Sequence, residues 1–501
     1  MIAVDRKAAK ALHTQIYDAY RTAIVTGSLR PRQRIPSTRV LASELGVSRF
    51  PVLNAYSQLL AEGYFESRVG AGTVVSSLLP DQLTSSGPTG NGQKTNGPTS
   101  SGPTNPRFAA TRSAPRSAPR QVARHPNLRR VQRLPWLRGP GAFGVGQVAA
   151  DQFPLHVWSK LVARRCRNMD AASFHYGDQT GFKPLRETLA SYLRTARALH
   201  CEAEQVMIVA GSQQALEISA RVLLDPGSSV WVEEPGYRLA QDAFALNGCS
   251  LVPVPVDGEG LDVAAGIRRC PKARAAFVTP SHQYPLGVTM SASHRFQLLE
   301  WAQAAGSWII EDDYDSEYRY ESLPIASLQG LDASARVIYV GTFSKVLFPA
   351  LRLGYVVIPP DLVDDFLTVR RAMDLGPPSF FQEVLADFIG EGHFARHIRR
   401  MRVLYRERRS ALVDSIREEL GTMVEVLGGE AGMHLTVTLP NNFRDVEISE
   451  RAARENLWIW PLSSNYLGEA TRSGFILGFG STDVAEIPRA VRKLSGLLAR
   501  K

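Results

Sequence analysis

The sequence predicts a multidomain chain: a small, mainly α-helical N-terminal module, a flexible tether, and a large α/β domain that ends in a smaller α+β subdomain. Three observations predict it. Residues 8–76 carry apolar residues at helical spacing followed by two short β runs. Residues 77–140 turn to Pro, Gly, Ser, Thr and Arg. From about Phe143 onward, short apolar runs alternate with helical patterns. The 501 residues suffice for about three domains at ~150 residues each. Hydrophobic residues at 44% and charged residues at 21% allow a sizeable core and exclude a wholly disordered chain.

In the first module, Leu12, Ile16, Tyr20 and Ile24 predict an amphipathic helix over 11–26, ended by Gly27. Ser37 is a good N-cap for a second helix, Thr38 to Leu45, and Gly46 makes the turn. Ser48 caps a third helix to about Glu62, with Pro51 tolerated in its first turn. Tyr64–Ser67 and Thr73–Val75 read as two strands. Helix, turn, helix and hairpin make a winged helix-turn-helix. Its third helix would lie in a DNA major groove with Ser48 and Arg49 leading, Arg34 and Arg39 on phosphates, and Arg68 reaching from the wing.

Charge agrees. Residues 1–140 hold 20 Lys/Arg against 6 Asp/Glu, while residues 141–501 hold 38 against 42, within a net charge of +10. A basic front on a mildly acidic body points to a polyanion such as nucleic acid. The segment 77–140 repeats Gly-Pro-Thr and Ser-Ala-Pro-Arg and cannot bury enough apolar area to fold. Cys166, Cys201, Cys249 and Cys270 form no CxxC and are expected as reduced thiols. No apolar run approaches ~18 residues, and Met1 to Lys10 lacks the apolar core of a signal peptide, so no membrane span and a cytoplasmic location are expected.

The run Leu29 to Arg39, then Leu45-Gly46-Val47-Ser48-Arg49, Ala55-Tyr56 and Glu62-Gly63-Tyr64, resembles the GntR family of bacterial winged-helix regulators. The resemblance implies operator contacts from Arg34, Ser37, Arg39, Ser48 and Arg49. Arg32 departs from the usual glycine, and Phe50-Pro51 from the usual small or polar residue plus Thr.

In the body, candidate strands are Val206–Ala210, Ser229–Val232, Ala275–Thr279, Trp308–Glu311, Val337–Val340 and Tyr355–Ile358. Helical stretches such as Gln213–Leu223 and Ala292–Ala305 intervene, which predicts a mainly parallel sheet. Gly341-Thr342-Phe343-Ser344-Lys345 follows a strand and precedes Arg352. A lysine amine flanked by hydroxyls and a guanidinium suits pyridoxal 5′-phosphate (PLP): the amine captures the aldehyde, while Ser344 and Arg352 can bind the phosphate. Gly211-Ser212-Gln213-Gln214 opens a helix after a strand, a natural phosphate cup. Glu311-Asp312-Asp313-Tyr314 offers a buried carboxylate for a pyridine nitrogen. Three acids without a neighbouring His predict no metal. Tyr237 ends another strand, where its ring can stack on a cofactor.

Together these stretches resemble fold-type I aminotransferases over roughly 145–495. The resemblance implies Lys345 as the Schiff-base lysine, Asp312 on the pyridine nitrogen, Tyr314 on the ring oxygen and Tyr237 stacked on the ring. Ser212, Gln213, Thr342, Ser344 and Arg352 would surround the phosphate, and Tyr176 would reach the neighbouring subunit's phosphate. Tyr284 stands where the enzymes place an asparagine. Phe475-Ile476-Leu477-Gly478-Phe479 lacks the enzymes' carboxylate-binding Arg, leaving Arg472 as the candidate. The whole chain is similar to the MocR subfamily of GntR regulators. That resemblance implies a reader at 8–76, a linker at 77–140 and an effector domain at 141–501. It also implies a head-to-tail homodimer, operator DNA as partner, and control by PLP or by an amine or amino-acid effector reacting at Lys345. The alternative is a working aminotransferase with an accessory DNA-binding arm.

Overall fold

A computed structural model of the chain describes residues 4–6, 8, 10–68, 72–76, 141–320, 326–440 and 443–499. The predicted linker, 77–140, lies outside the described residues. The chain divides into two compact units, Met1–Arg116 and Ser117–Lys501.

In the first unit, helices α1 (Leu12–Val25), α2 (Thr38–Glu44) and α3 (Arg49–Ala61) precede the antiparallel strands β1 (Phe65–Arg68) and β2 (Gly72–Val75). Ile16, Tyr20 and Ile24 point one stripe of α1 inward. Tyr20, Tyr56 and Phe65 meet edge to face, with centroids 5.2–5.6 Å apart. Burial of two phenols demands partners: Tyr20 and Tyr56 hydroxyls bond at 3.1 Å, and Tyr56 donates onward to Pro36 O at 3.0 Å. That bond ties α3 to the chain entering α2. Ser37 accepts from Val40 N at 3.3 Å, the cap expected of it. Ser48 stands at the N-cap position of α3, but its side chain makes no capping bond, a departure from the sequence reading.

The second unit is built on an eight-stranded sheet. Its strands are β3 (Val206–Val209), β4 (Ser229–Glu234), β5 (Ser250–Asp257), β6 (Gly260–Leu261), β7 (Ala275–Val278), β8 (Trp308–Asp313), β9 (Val337–Thr342) and β10 (Gly354–Val357), in the order 3-10-9-8-7-4-5-6. Strands β4, β5, β7, β8 and β9 run parallel; β10 is antiparallel to both β3 and β9. Residues alternate between two cores: Ala275, Phe277 and Ile310 face one, and Ala276, Val278 and Ile309 the other. Burial on both faces explains why these strands read as continuous apolar runs. The smaller subdomain carries a four-stranded antiparallel sheet of β11 (Glu425–Leu427), β12 (His434–Leu439), β13 (Trp460–Pro461) and β14 (Ser473–Gly478), ordered 11-12-14-13. The helix His393–Leu420 precedes it. In open α/β sheets, ligand crevices form outside the carboxyl ends of the parallel strands. The ends of β3, β4, β7, β8 and β9 here carry Gly211–Gln213, Glu233, Thr279–Pro285, Asp312–Asp315 and Thr342–Lys345.

Candidate functional site

Lys345 lies just past β9. Its Nζ donates to Gly146 O at 3.2 Å, so the segment entering the domain closes over the amine. A side chain at Gly146 (φ +74°) would be strained and would displace the amine, because a Cβ there would lie 2.3 Å from Lys345 Nζ. Burial lowers the amine's proton affinity, opposed by the charges of Asp315 and Asp312.

Neighbouring carboxyls at the end of β8 have different fates. Asp313 is held by Arg197 in a buried ion pair, and Tyr339 donates to its Oδ2 at 2.6 Å. Asp312 is buried with Oδ1 lacking any hydrogen-bond partner among the described residues. Burial pushes its carboxyl up to about 8, helped by Asp313, Asp315 and Glu233 and opposed by Lys345. A buried orphan oxygen in that state is poised for a cationic or N–H partner. Glu233, also buried, accepts from Thr279 N and Oγ1 at 3.1 and 2.7 Å and from Gln283 at 3.1 Å, and burial raises it to about 7.

Arg352 (φ +51°) is exposed and donates from Nη2 to Ala210 O at 2.7 Å. Its guanidinium lies over Gly211, where a Cβ would approach Nη2 to 3.3 Å. Gly211 (φ +96°) caps the helix Ser212–Leu223, so the first helical turn and the guanidinium face one spot. Ser344 N donates to Thr342 Oγ1 at 3.1 Å, shaping the loop that ends at Lys345. Gln213 donates to Leu239 O at 3.0 Å while its Oε1 is buried without a partner among the described residues.

Rings line the chamber: Tyr237 and Tyr284 are 5.5 Å apart, Tyr284 and Tyr314 6.4 Å, and Tyr284 and His434 5.4 Å. Burial raises the proton affinity of all three phenols, keeping them neutral donors. Tyr314 donates to His282 O at 2.9 Å. Sequence reasoning missed the junction behind it. His282 Nδ1 bonds Asp315 at 3.1 Å, Asp315 Oδ2 accepts Met433 N at 3.2 Å, and His434 Nε2 donates to Pro285 O at 3.2 Å. His282, Asp315 and His434 offer ligand atoms within 4.8 Å of one another, a grouping the expectation of no metal did not foresee. Hydrogen bonds already join these groups to the smaller subdomain. His282 sits within the Thr279–Gly287 run, but His434, some 150 residues on, gave no sequence signal.

The structure thus gathers Lys345, Asp312, Tyr314, Tyr237, Tyr284, Ser212, Gln213, Thr342, Ser344 and Arg352 at the strand ends. Tyr176 stands apart, 87% exposed, and Arg472 is exposed ahead of β14. In the first unit Arg34, Ser37, Arg39, Ser48 and Arg49 are all exposed, and Arg49 Nε donates to Thr38 Oγ1 at 3.1 Å, linking α3 to α2. Arg34 pairs with Val74 as a bridge to the wing, and Arg68 lies opposite Gly72 in the hairpin register.

Comparison with known proteins agrees with this layout. Residues 142–494 match the family described as aminotransferase class I and II, and residues 12–75 match bacterial regulatory proteins, gntR family. The chain is 38% identical to the probable rhizopine catabolism regulatory protein MocR of Rhizobium meliloti, over 99% of this chain and 95% of that one. It is 30% identical to the pyridoxine biosynthesis transcriptional regulator PdxR of Corynebacterium glutamicum, over 98% of each. Among solved structures, Pyrococcus horikoshii kynurenine aminotransferase superposes with a TM-score of 0.68 at 29% identity, covering 72% of this chain and 92% of that one. LysN, the α-aminoadipate aminotransferase of Thermus thermophilus, complexed with N-(5′-phosphopyridoxyl)-L-leucine, gives 0.67 at 29%, covering 75% and 96%.

Proposed function

Because the chain belongs to the GntR-family regulators of MocR type, with an aminotransferase class I and II domain behind a gntR reader, we propose that it is a transcriptional regulator whose grip on operator DNA is set by PLP, or by an amine meeting PLP, at Lys345. The observation that carries this reading is the convergence at the strand ends of three features. These are a buried lysine amine, an orphaned carboxyl oxygen on Asp312, and the Gly211 turn under the Arg352 guanidinium. They fit the aldehyde, the pyridine nitrogen and the phosphate of PLP.

When bound, PLP supplies an aldehyde that captures amines. The chain's residues do the rest. Burial keeps Lys345 toward its neutral, nucleophilic form. Asp312 keeps its proton near neutral pH until a basic nitrogen arrives to take it. Tyr237 would cover the ring, Tyr314 and Tyr284 would flank its oxygen, and the amides of Ser212 and Gln213 with Thr342, Ser344 and Arg352 would hold the phosphate. Tyr176, exposed on its own chain, would reach the second subunit of a homodimer. The reader spans 8–76 and meets the operator through Arg34, Ser37, Arg39, Ser48, Arg49 and Arg68. Residues 77–140 tether it to the effector domain, 141–501.

The test is spectroscopic. Purified protein titrated with PLP is expected to develop a visible absorbance band that Lys345→Ala lacks; an unchanged spectrum sinks the proposal. Sustained keto-acid turnover at about 1 per second or faster would instead place the chain among working aminotransferases.

A further inference from the structure

The smaller subdomain turns one face of its sheet toward Lys345, and the part of that face made by His434, Thr436, Ile476 and Gly478 carries no Asp, Glu, Lys or Arg; Glu425 shares the face but lies on the outer strand β11, opposite Thr438. In the β12–β14 register His434 pairs with Gly478 and Thr436 with Ile476, and Trp460 of β13 flanks Ile476. Strand alternation puts these residues on one face, while Leu435, Val437, Phe475 and Leu477 join the core behind. Bonds locate the first face. His434 Nε2 and Thr436 Oγ1 both donate to Pro285 O, at 3.2 and 2.5 Å. Gly478 packs on Gly144, where a Cβ would lie 2.3 Å from its carbonyl oxygen, two residues before the oxygen that holds Lys345 Nζ. Ile476, fully buried, therefore looks with Thr436 into the chamber of the amine.

Thr436, Ile476 and Gly478 cannot ionise, and the buried His434 gives its Nε2 to the neutral Pro285 carbonyl. The buried carboxyl groups of Asp312, Asp315 and Glu233 lie at the strand ends that this wall faces, Asp315 against the wall itself through Met433 N. Arg352 is committed to the Gly211 turn, and Arg472 is exposed ahead of β14. A carboxylate carried beside the effector's amine would be desolvated against Ile476 and Thr436 with acids behind it, an uncompensated cost.

We propose that this site takes a primary amine whose amine-bearing carbon has no carboxylate, with neutral apolar or hydroxyl substituents toward Thr436 and Ile476. The inference rests on the reading of Lys345 as the PLP site and names the class of effector for it.

Full-length protein loaded with PLP is titrated with matched pairs: phenethylamine against L-phenylalanine, and ethylamine against L-alanine. Two readouts are followed, the visible spectrum and the melting temperature. The amine of each pair is expected to act at a concentration at least about tenfold lower, the equivalent of about 1.4 kcal/mol. Ile476→Arg is expected to erase or reverse that preference, with Ile476→Met as the volume control. Should Ile476→Arg fail to fold, Thr436→Lys places the cation beside it. Amino acids acting as well as their amines, no response to any amine, or an unaltered preference in a folded cationic variant overturns the inference. A protein that never develops a visible band with PLP alone fails the earlier reading instead, so the two failures are told apart.

Discussion

Replacing Asp312 by Asn tests the buried, unpartnered carboxyl directly. In the folded protein without PLP the group titrates at about 8, against an ordinary value of 3.8. As pH rises from about 4, the unfolded chain releases this proton first, while the folded chain keeps it until about 8. The folded state therefore binds more protons across that window, and stability falls as pH climbs through it. At about 1.4 kcal/mol per pH unit the upper limit is roughly 6 kcal/mol. Relaxation and water entry reduce it to an expected ~2–4 kcal/mol. Asn cannot ionise and escapes the loss. Asp312→Asn is thus expected to match the parent near pH 4, to gain on it steadily up to pH 8, and to hold the gain above. Differential scanning calorimetry without PLP reads this as a rise of roughly 3–5 °C at pH 8.5. The same variant is expected to bind PLP at least about tenfold more weakly. A variant less stable at every pH would show that the carboxyl is partnered and ionised, and a gain independent of pH would show that folding does not raise its proton affinity; either result refutes the reasoning.

Gly432→Ala is expected to cost about 2–4 kcal/mol in urea unfolding. Its φ is +73°, and a Cβ would lie 2.0 Å from His282 Cε1 and 2.5 Å from Asp315 Oδ2; a neutral result contradicts the packing of the junction. Ser37→Ala removes the cap of α2, worth about 1 kcal/mol. The Val40 amide should then exchange hydrogen about fivefold faster, and an unchanged rate would mean that the cap contributes nothing.

What was legible in the sequence was local. Val206–Val209, Ala275–Val278 and Val337–Thr342 stood out because both sheet faces are buried, which leaves unbroken apolar runs. Lys345 stood out because its loop carries hydroxyls and an arginine within seven residues. The outer strand Ser250–Asp257 escaped because Pro253 and Pro255 interrupt it and its ends are exposed. The reversed direction of β10 escaped because side-chain pattern does not encode strand polarity. Contacts across long stretches of chain were also invisible: Gly146 on Lys345 spans 199 residues, and Met433 on Asp315 spans 118. Those contacts, rather than the motifs, define how the smaller subdomain meets the site.

In the regulator proposed above, chemistry at Lys345 governs DNA occupancy. The full-length protein is first used to select its binding sequence from random DNA. Occupancy of that sequence and visible absorbance are then followed together as PLP is added. Both are expected to change over the same concentration range, and in Lys345→Ala neither is expected to respond. Occupancy that ignores PLP, or that responds equally in Lys345→Ala, would contradict the proposal.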